Sequence, residues 1–171
     1  MIVRPFVDED LEPVVELSLR AWEPVFAALE REMGQPLYRL TVPDWRQSQR
    51  SAVTSVCTEE QAPPMRVWVA SREDGDPGET GVAAGFVALR VHAQGTDEQF
   101  GEIYMVAVDP AQQQRGVGRA LCEHAIAVLR EEGVKVAMVE TGQDSGHAPA
   151  RRLYESLEFQ NVPAARYWKV L

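Results

Sequence analysis

Gln113-Gln114-Arg115-Gly116-Val117-Gly118-Arg119-Ala120 follows an apolar strand pattern, Glu102-Ile103-Tyr104-Met105-Val106-Ala107-Val108, and a turn at Asp109-Pro110. It opens a helix pattern that runs to about Glu132. A strand, a glycine-containing loop and a helix start together make a site for an anion. The first helical N–H groups have no intrahelical partner, and the helix dipole adds positive potential there. Gly116 and Gly118 carry no Cβ to hold a phosphate away from that backbone. Arg115 and Arg119 add charge-assisted donors on either side. Two glycines could equally serve a loop that merely turns, so the flanking sequence has to decide.

Gln113-x-x-Gly116-x-Gly118 resembles the Q/R-x-x-G-x-G/A signature of the GNAT superfamily of N-acetyltransferases. Upstream, Glu102 to Pro110 looks like the fourth strand of that family. Downstream, Ala150-Arg151-Arg152-Leu153-Tyr154-Glu155-Ser156-Leu157-Glu158-Phe159 is similar to its A-x-x-L-Y-x-x-x-G-F helix. The resemblance spans residues 100–160 and implies a loop that holds the pyrophosphate of acetyl-coenzyme A. Residues 106–108, 113–120, 147, 151 and 154 would then contact the cofactor: Val106, Ala107, Val108, Gln113, Gln114, Arg115, Gly116, Val117, Gly118, Arg119, Ala120, His147, Arg151 and Tyr154.

The whole chain is compatible with this. Its 171 residues suit a single domain. The apolar fraction of 45% and charged fraction of 25% are those of an ordinary globular protein. No stretch reaches the ~20 apolar residues of a membrane span, and Asp8 interrupts any signal-peptide pattern. Cys57 and Cys122 are too few for a disulfide framework and read as thiols in a reducing cytoplasm. The formal charge of −9 argues against nucleic-acid or acidic-membrane binding and is compatible with a cationic acceptor. Three scattered histidines give no metal-ligand spacing, so no metal is expected. A homodimer is compatible with all of this.

In chain order, residues 1–6 read as a strand, and Asp10 can cap a helix through Leu11, Val14, Val15 and Leu19, with Pro13 in its first turn. Pro24 is expected to break it, leaving a second helix from Val25 to Met33, stopped by Gly34, and a weaker third from Asp44 to Glu59. Residues 61–64 read as a connector, 66–70 as a strand, 73–79 as a hairpin turn, 81–91 as a strand and 92–99 as a loop. Residues 134–139 are short enough for a buried strand, 142–147 a loop, and Pro149 suits a first helical turn. Residues 159–162 and 166–171 read as two closing strands. This order predicts a single α/β domain over residues 1–171 with a mixed sheet and helices on both faces. The resemblance implies a mostly antiparallel sheet of six to seven strands, splayed between strands 4 and 5.

Acetyl transfer to an amine needs a proton acceptor, an oxyanion donor and a proton for the leaving thiolate. Tyr154, a phenol with pKa about 10, can give that last proton; it matches the tyrosine many GNAT enzymes place beside the sulfur, although its helical spacing also suits a core aromatic. Glu102 is the candidate base, on the expectation that partial burial raises its pKa toward neutrality. It matches the strand-four glutamate of some GNAT members. The oxyanion donor is expected from main-chain N–H groups around residues 106–108. His92 and Glu140, at strand ends, are reserve candidates. Two positions depart from the family pattern: His147 stands for the usual asparagine, and Glu158 for the glycine before Phe159.

Two rivals remain. Gly116-Val117-Gly118, with Glu140 about twenty residues on, resembles a Rossmann fingerprint, but Leu121 occupies the third glycine position. A GNAT-like protein that only binds acyl-coenzyme A is the other. For the acceptor, the resemblance implies that the first helices and adjoining loops shape the pocket, here from Trp22 to Trp45 together with the expected loop from His92 to Phe100. Trp22, Phe26 and Trp45 offer aromatic faces, and Glu23, Asp44 and Glu102 carboxylates, suited to a small cationic amine; a protein amino group is the alternative. The same aromatics would serve equally as core.

Overall fold

The computed structural model describes residues 1–58, 64–71, 82–94 and 98–171. The expected hairpin turn at 73–79, most of the connector at 61–64 and residues 95–97 of the expected loop lie outside the described residues.

Strands β1 (Ile2–Pro5), β2 (Arg66–Ser71), β3 (Ala83–Gln94), β4 (Glu98–Val108) and β5 (Val136–Val139) form one sheet in the order β1-β2-β3-β4-β5. The first three pairings are antiparallel, and β4–β5 is parallel. Helices α1 (Leu11–Met33), α2 (Gln35–Thr41), α3 (Trp45–Thr58), α4 (Val117–Glu131) and α5 (Ala148–Ser156) complete the chain. No helix among the described residues is long and apolar enough to cross a membrane.

Two apolar clusters lie on opposite sides of the sheet. Val117, Leu121, Ala125 and Leu129 of α4 pack with Val87, Leu89 and Ile103 on one face. Val14, Val15 and Leu17 of α1 and Val53 of α3 pack with Val69, Phe86 and Ala107 on the other. Helices on both faces are thus as expected.

Pro24 does not break the first helix. Its missing N–H leaves the Arg20 carbonyl without a helical donor, yet α1 runs on to Met33 because Val25 and Ala28 beyond the proline are buried. Gly34 ends it at φ +75°, donating to the Glu30 carbonyl. The short α2 has too few apolar positions to announce itself in sequence; only Tyr38 is buried. The loop expected at 92–99 is also corrected, because β3 extends to Gln94 and β4 begins at Glu98.

Among the described residues the sheet has five strands rather than six to seven. Neither 159–162 nor 166–171 forms a strand, and Val162 and Tyr167 are largely exposed. Proline at 163 removes a ladder donor, and Ala164-Ala165 bring little apolar area to drive pairing. Upstream of it, α5 closes in a Schellman turn: Phe159 N–H donates to the Tyr154 carbonyl and Glu158 N–H to that of Glu155, both at 3.0 Å. Glu158 adopts φ +65° there, the conformation that the family's glycine would take without strain.

One irregularity positions the site. Ala88 faces Met105 and Leu89 faces Ile103, so Tyr104 is an extra residue in β4. This bulge reverses which face successive residues present. Ile103 packs toward α4, whereas Met105 packs toward α1. The β4–β5 pairing ends at Ile103↔Val139, so β4 continues from Tyr104 to Val108 without a β5 partner.

Candidate active site

The loop after β4 is built from both ends. Asp109 accepts from the Ala111 N–H at 2.9 Å, setting a 3-10 turn over Pro110–Gln112. The Arg20 guanidinium of α1 donates to the other oxygen of Asp109 through Nε at 3.1 Å. Burial pushes the Asp109 carboxyl up, but Arg20 and the Ala111 amide outweigh it and hold it below the usual range. Gln113 then donates its side-chain amide to the Val108 carbonyl at 3.2 Å.

Gln114 and Gly116 take positive φ, 60° and 82°, and α4 starts at Val117. The first helical bond runs from Ala120 N–H to the Gly116 carbonyl, so the preceding amides have no helical acceptor, and no side chain caps the helix. A Cβ on Gly116 would meet nothing within 4 Å, so the loop is open on that side. Gly118 differs. A Cβ there would lie 3.2 Å from Leu153 Cδ2, so this glycine admits α5 rather than clearing the way for a phosphate.

The arginines divide. Arg115 is exposed beside the open loop. Arg119 pairs with Glu123 at 3.1 Å and donates to Ser156 Oγ at 2.8 Å. Arg151 donates to the carbonyls of Gly142 and Asp144, at 2.6 and 2.8 Å, and so braces the turn ahead of α5. His147 belongs to that same turn. Its Nδ1 lies 2.5 Å from the buried Asp144 carboxylate, which also accepts from the His147 N–H. Gly146 seats the turn on α1, since a Cβ there would come within 2.6 Å of Val25 Cα.

Tyr154 is buried on α5, edge-on to Phe159 at 6.0 Å. Burial, with the Cys122 thiol, pushes its phenol well up, so it holds its proton across the working pH range.

Glu102 is buried on the α1/α3 side of the sheet. Arg90 Nε donates to its Oε2 at 2.7 Å, and His92 Nε2 lies 2.6 Å from the same oxygen. Burial pushes this carboxyl up, but Arg90 and His92 outweigh it and hold it below its ordinary value. The expectation of a pKa raised toward neutrality is therefore overturned: two cationic or donor partners pay the desolvation cost of the charge. Arg90, which also lies 4.4 Å over the Tyr104 ring, had no signal in a one-strand reading. Its position opposite Glu102 in the β3–β4 register is what brings the two together.

Phe26 and Trp45 stack at 4.5 Å and 18°, as one aromatic surface between α1 and α3. Trp22 instead packs against the α1/α3 core cluster. Arg46 lies 4.4 Å over Trp45 and pairs with Glu23 at 2.5 Å, so one face of the pair already carries a cation. Glu140 is at the end of β5 and pairs only loosely with Arg166, at 3.7 Å. Among the described residues no cluster of metal-ligating side chains occurs.

The acetyltransferase (GNAT) family matches residues 23–159. The chain belongs to this family. It is 35% identical to a mycothiol acetyltransferase of Nocardiopsis dassonvillei over 92% of this chain and 42% of that protein. It is 43% identical to one from Thermobispora bispora over 46% of this chain and 27% of that protein. The chain thus spans less than half the length of these relatives. Among solved structures, a mutant Bacillus halodurans protein superimposes with a TM-score of 0.71 at 18% identity, covering both chains fully. An aminoglycoside acetyltransferase from an uncultured soil sample, in complex with sisomicin, gives 0.61 at 19%, over 99% of this chain and 95% of that one. These two establish likeness of fold alone.

Proposed function

We propose that the chain is an N-acetyltransferase that moves the acetyl group of acetyl-coenzyme A to a primary amine of a small, cationic acceptor by direct transfer in a ternary complex. The uncapped start of α4 behind Gly116, at the end of a strand that has parted from β5, carries this reading. Residues fit the group in two places. The amides from Arg115 to Arg119 and the open space over Gly116 suit a pyrophosphate. The unpaired side of β4 at Val106 to Val108 suits the thioester end, where N–H donors stabilise developing oxyanion charge. Acetyl-coenzyme A supplies an activated acyl group. Tyr154, a protonated phenol, can return a proton to sulfur. Glu102, held ionised by Arg90 and His92 through Oε2, is the candidate proton acceptor, directly or through water. The aromatic pair Phe26–Trp45 extends the acceptor side of the sheet.

The identity to mycothiol acetyltransferases favours a second acceptor reading: the small acceptor of that chemistry rather than a free polyamine or basic amino acid. A thiol-release assay with acetyl-coenzyme A against an amine panel that includes both kinds separates them. Calorimetry showing no association with any coenzyme A derivative would sink the proposal altogether.

A further inference from the structure

We propose that Arg20 is a positioning residue for the transfer: its bridge to Asp109 fastens α1 to the end of β4 and keeps the acceptor side of that helix aligned with Val106 to Val108. This rests on the acetyl-transfer reading and adds to it a residue that touches neither substrate. Asp109 is where the fastening is made. Its main-chain N–H donates to the Ala84 carbonyl of β3 at 2.9 Å, so the residue is anchored to the sheet. Its Oδ1 accepts from the Ala111 N–H at 2.9 Å and sets the turn that leads to the glycine loop. Its Oδ2 is left for α1, and takes Arg20 Nη2 at 2.5 Å and Nε at 3.1 Å. One residue thus ties sheet, cofactor loop and helix together.

The helix needs a fastening at this point. Pro24 deprives the Arg20 carbonyl of its helical donor, so the α1 ladder is interrupted between the two residues. The same stretch leads through Trp22 to Phe26, which stacks on Trp45. Its other contact is with the turn that follows β5. A Cβ on Gly146 would come within 2.6 Å of Val25 Cα and 2.9 Å of the Pro24 carbonyl oxygen, so the two backbones lie flush. That turn leads into α5, which carries Tyr154.

α1 therefore meets the chain leaving β4 at Arg20 and the chain leaving β5 at Val25. These are the strands whose pairing stops at Ile103 and Val139. About five residues of helix, roughly 7.5 Å of rise, separate the two contacts. The helix spans the opening between the parted strands, and the Arg20 bridge holds it at the β4 end. The Asp109 side chain is only 15% exposed, whereas that of Arg20 is 51% exposed, so replacing Arg20 leaves the core intact. A partly exposed pair of this kind can bias an equilibrium by up to about fivefold.

The test combines thiol release, coenzyme A calorimetry and amide hydrogen exchange on the wild type, Arg20→Gln, Arg20→Lys, Asp109→Asn and the Arg20→Gln/Asp109→Asn double variant. With whichever panel amine the wild type acetylates, Arg20→Gln should lower kcat by about threefold to fivefold and leave the coenzyme A Kd within about twofold. Asp109→Asn keeps a side-chain oxygen for the Ala111 N–H and should slow turnover alike. The double variant should be no slower than either single one, because each removes the same bridge. Arg20→Lys keeps the charge but not the fork and should recover part of the rate. Coenzyme A reads the bridge without turnover: bound to the wild type it should slow amide exchange in α1 from Ala21 to Phe26, and Arg20→Gln should lose that slowing.

Unchanged kcat in Arg20→Gln overturns the inference, as do losses that multiply in the double variant. A coenzyme A Kd that rises in step with the loss of kcat overturns it too, since the bridge would then serve only the loop. So does a wild type that binds coenzyme A with no slowing of exchange in α1, a result that needs no variant to fold. Each of these leaves the acetyl-transfer reading standing. A wild type that binds no coenzyme A derivative removes both.

Discussion

The side-chain amide of Gln113 donates to the main-chain carbonyl of Val108 at 3.2 Å, tying the glycine loop back to the end of β4. Loop and strand end are thereby held as one unit, so the amides that would take a pyrophosphate have a fixed relation to those that would face a thioester. Removing a neutral hydrogen bond of this kind costs about 1 kcal/mol. Gln113→Leu should therefore weaken coenzyme A binding by about fivefold to tenfold with little change in kcat. Isothermal calorimetry reads the first effect and steady-state kinetics the second.

Tyr154→Phe keeps the ring that packs against Phe159 and removes only the hydroxyl. Turnover should fall by about 10²-fold if the phenol delivers the proton to sulfur. Unchanged turnover across the pH range would leave Tyr154 as a core aromatic.

Gly85 is where backbones meet. A Cβ there would lie 2.6 Å from the Ala107 carbonyl oxygen and 3.0 Å from Leu121 Cδ1. Gly85→Ala should cost about 1–3 kcal/mol and displace β4 beside Val106 to Val108. Denaturant unfolding would show the loss, and an impaired kcat at full coenzyme A saturation the displacement.

Glu158 is held at φ +65° in the Schellman turn that ends α5. Glu158→Gly should stabilise the fold by up to about 1 kcal/mol, with relief of strain partly offset by greater freedom in the unfolded chain. A rise in Tm, with no change in activity, is the expected readout.

Acid should unfold the protein through particular carboxylates. Asp10 accepts from both Arg4 nitrogens, at 2.6 and 2.7 Å, and from the Val7 N–H. Burial pushes it up, but these partners hold it below its ordinary value. Glu102, Asp109 and Asp144 are lowered likewise. Groups lowered on folding stabilise fully above their unfolded pKa, about 4, and lose that contribution as pH falls through their folded values. Stability should therefore be flat above about pH 5 and fall steeply below about pH 4. Asp10→Asn should lower stability at neutral pH by about 2 kcal/mol and flatten the acid slope, as pH-dependent unfolding would show.

Local sequence determined the strand–loop–helix around Gly116, the helix from Val117, the short strand at β5 and the proline-led α5, because each depends on patterns within about one element's length. The same local reading misjudged Pro24, since burial of Val25 and Ala28 outweighs a single lost helical bond. It also gave strands to the closing segments, although apolar alternation forms a strand only where a partner edge accepts it. The site divided in the same way. Backbone amides at the helix start were legible because they follow from helix geometry alone. Only the tertiary structure decided the rest: the extra residue at Tyr104 reverses the faces of β4, and β3–β4 register brings Arg90 and His92 onto Glu102. The charge state of that carboxylate is set by partners ten and twelve residues away, and no window of neighbouring sequence contains that information.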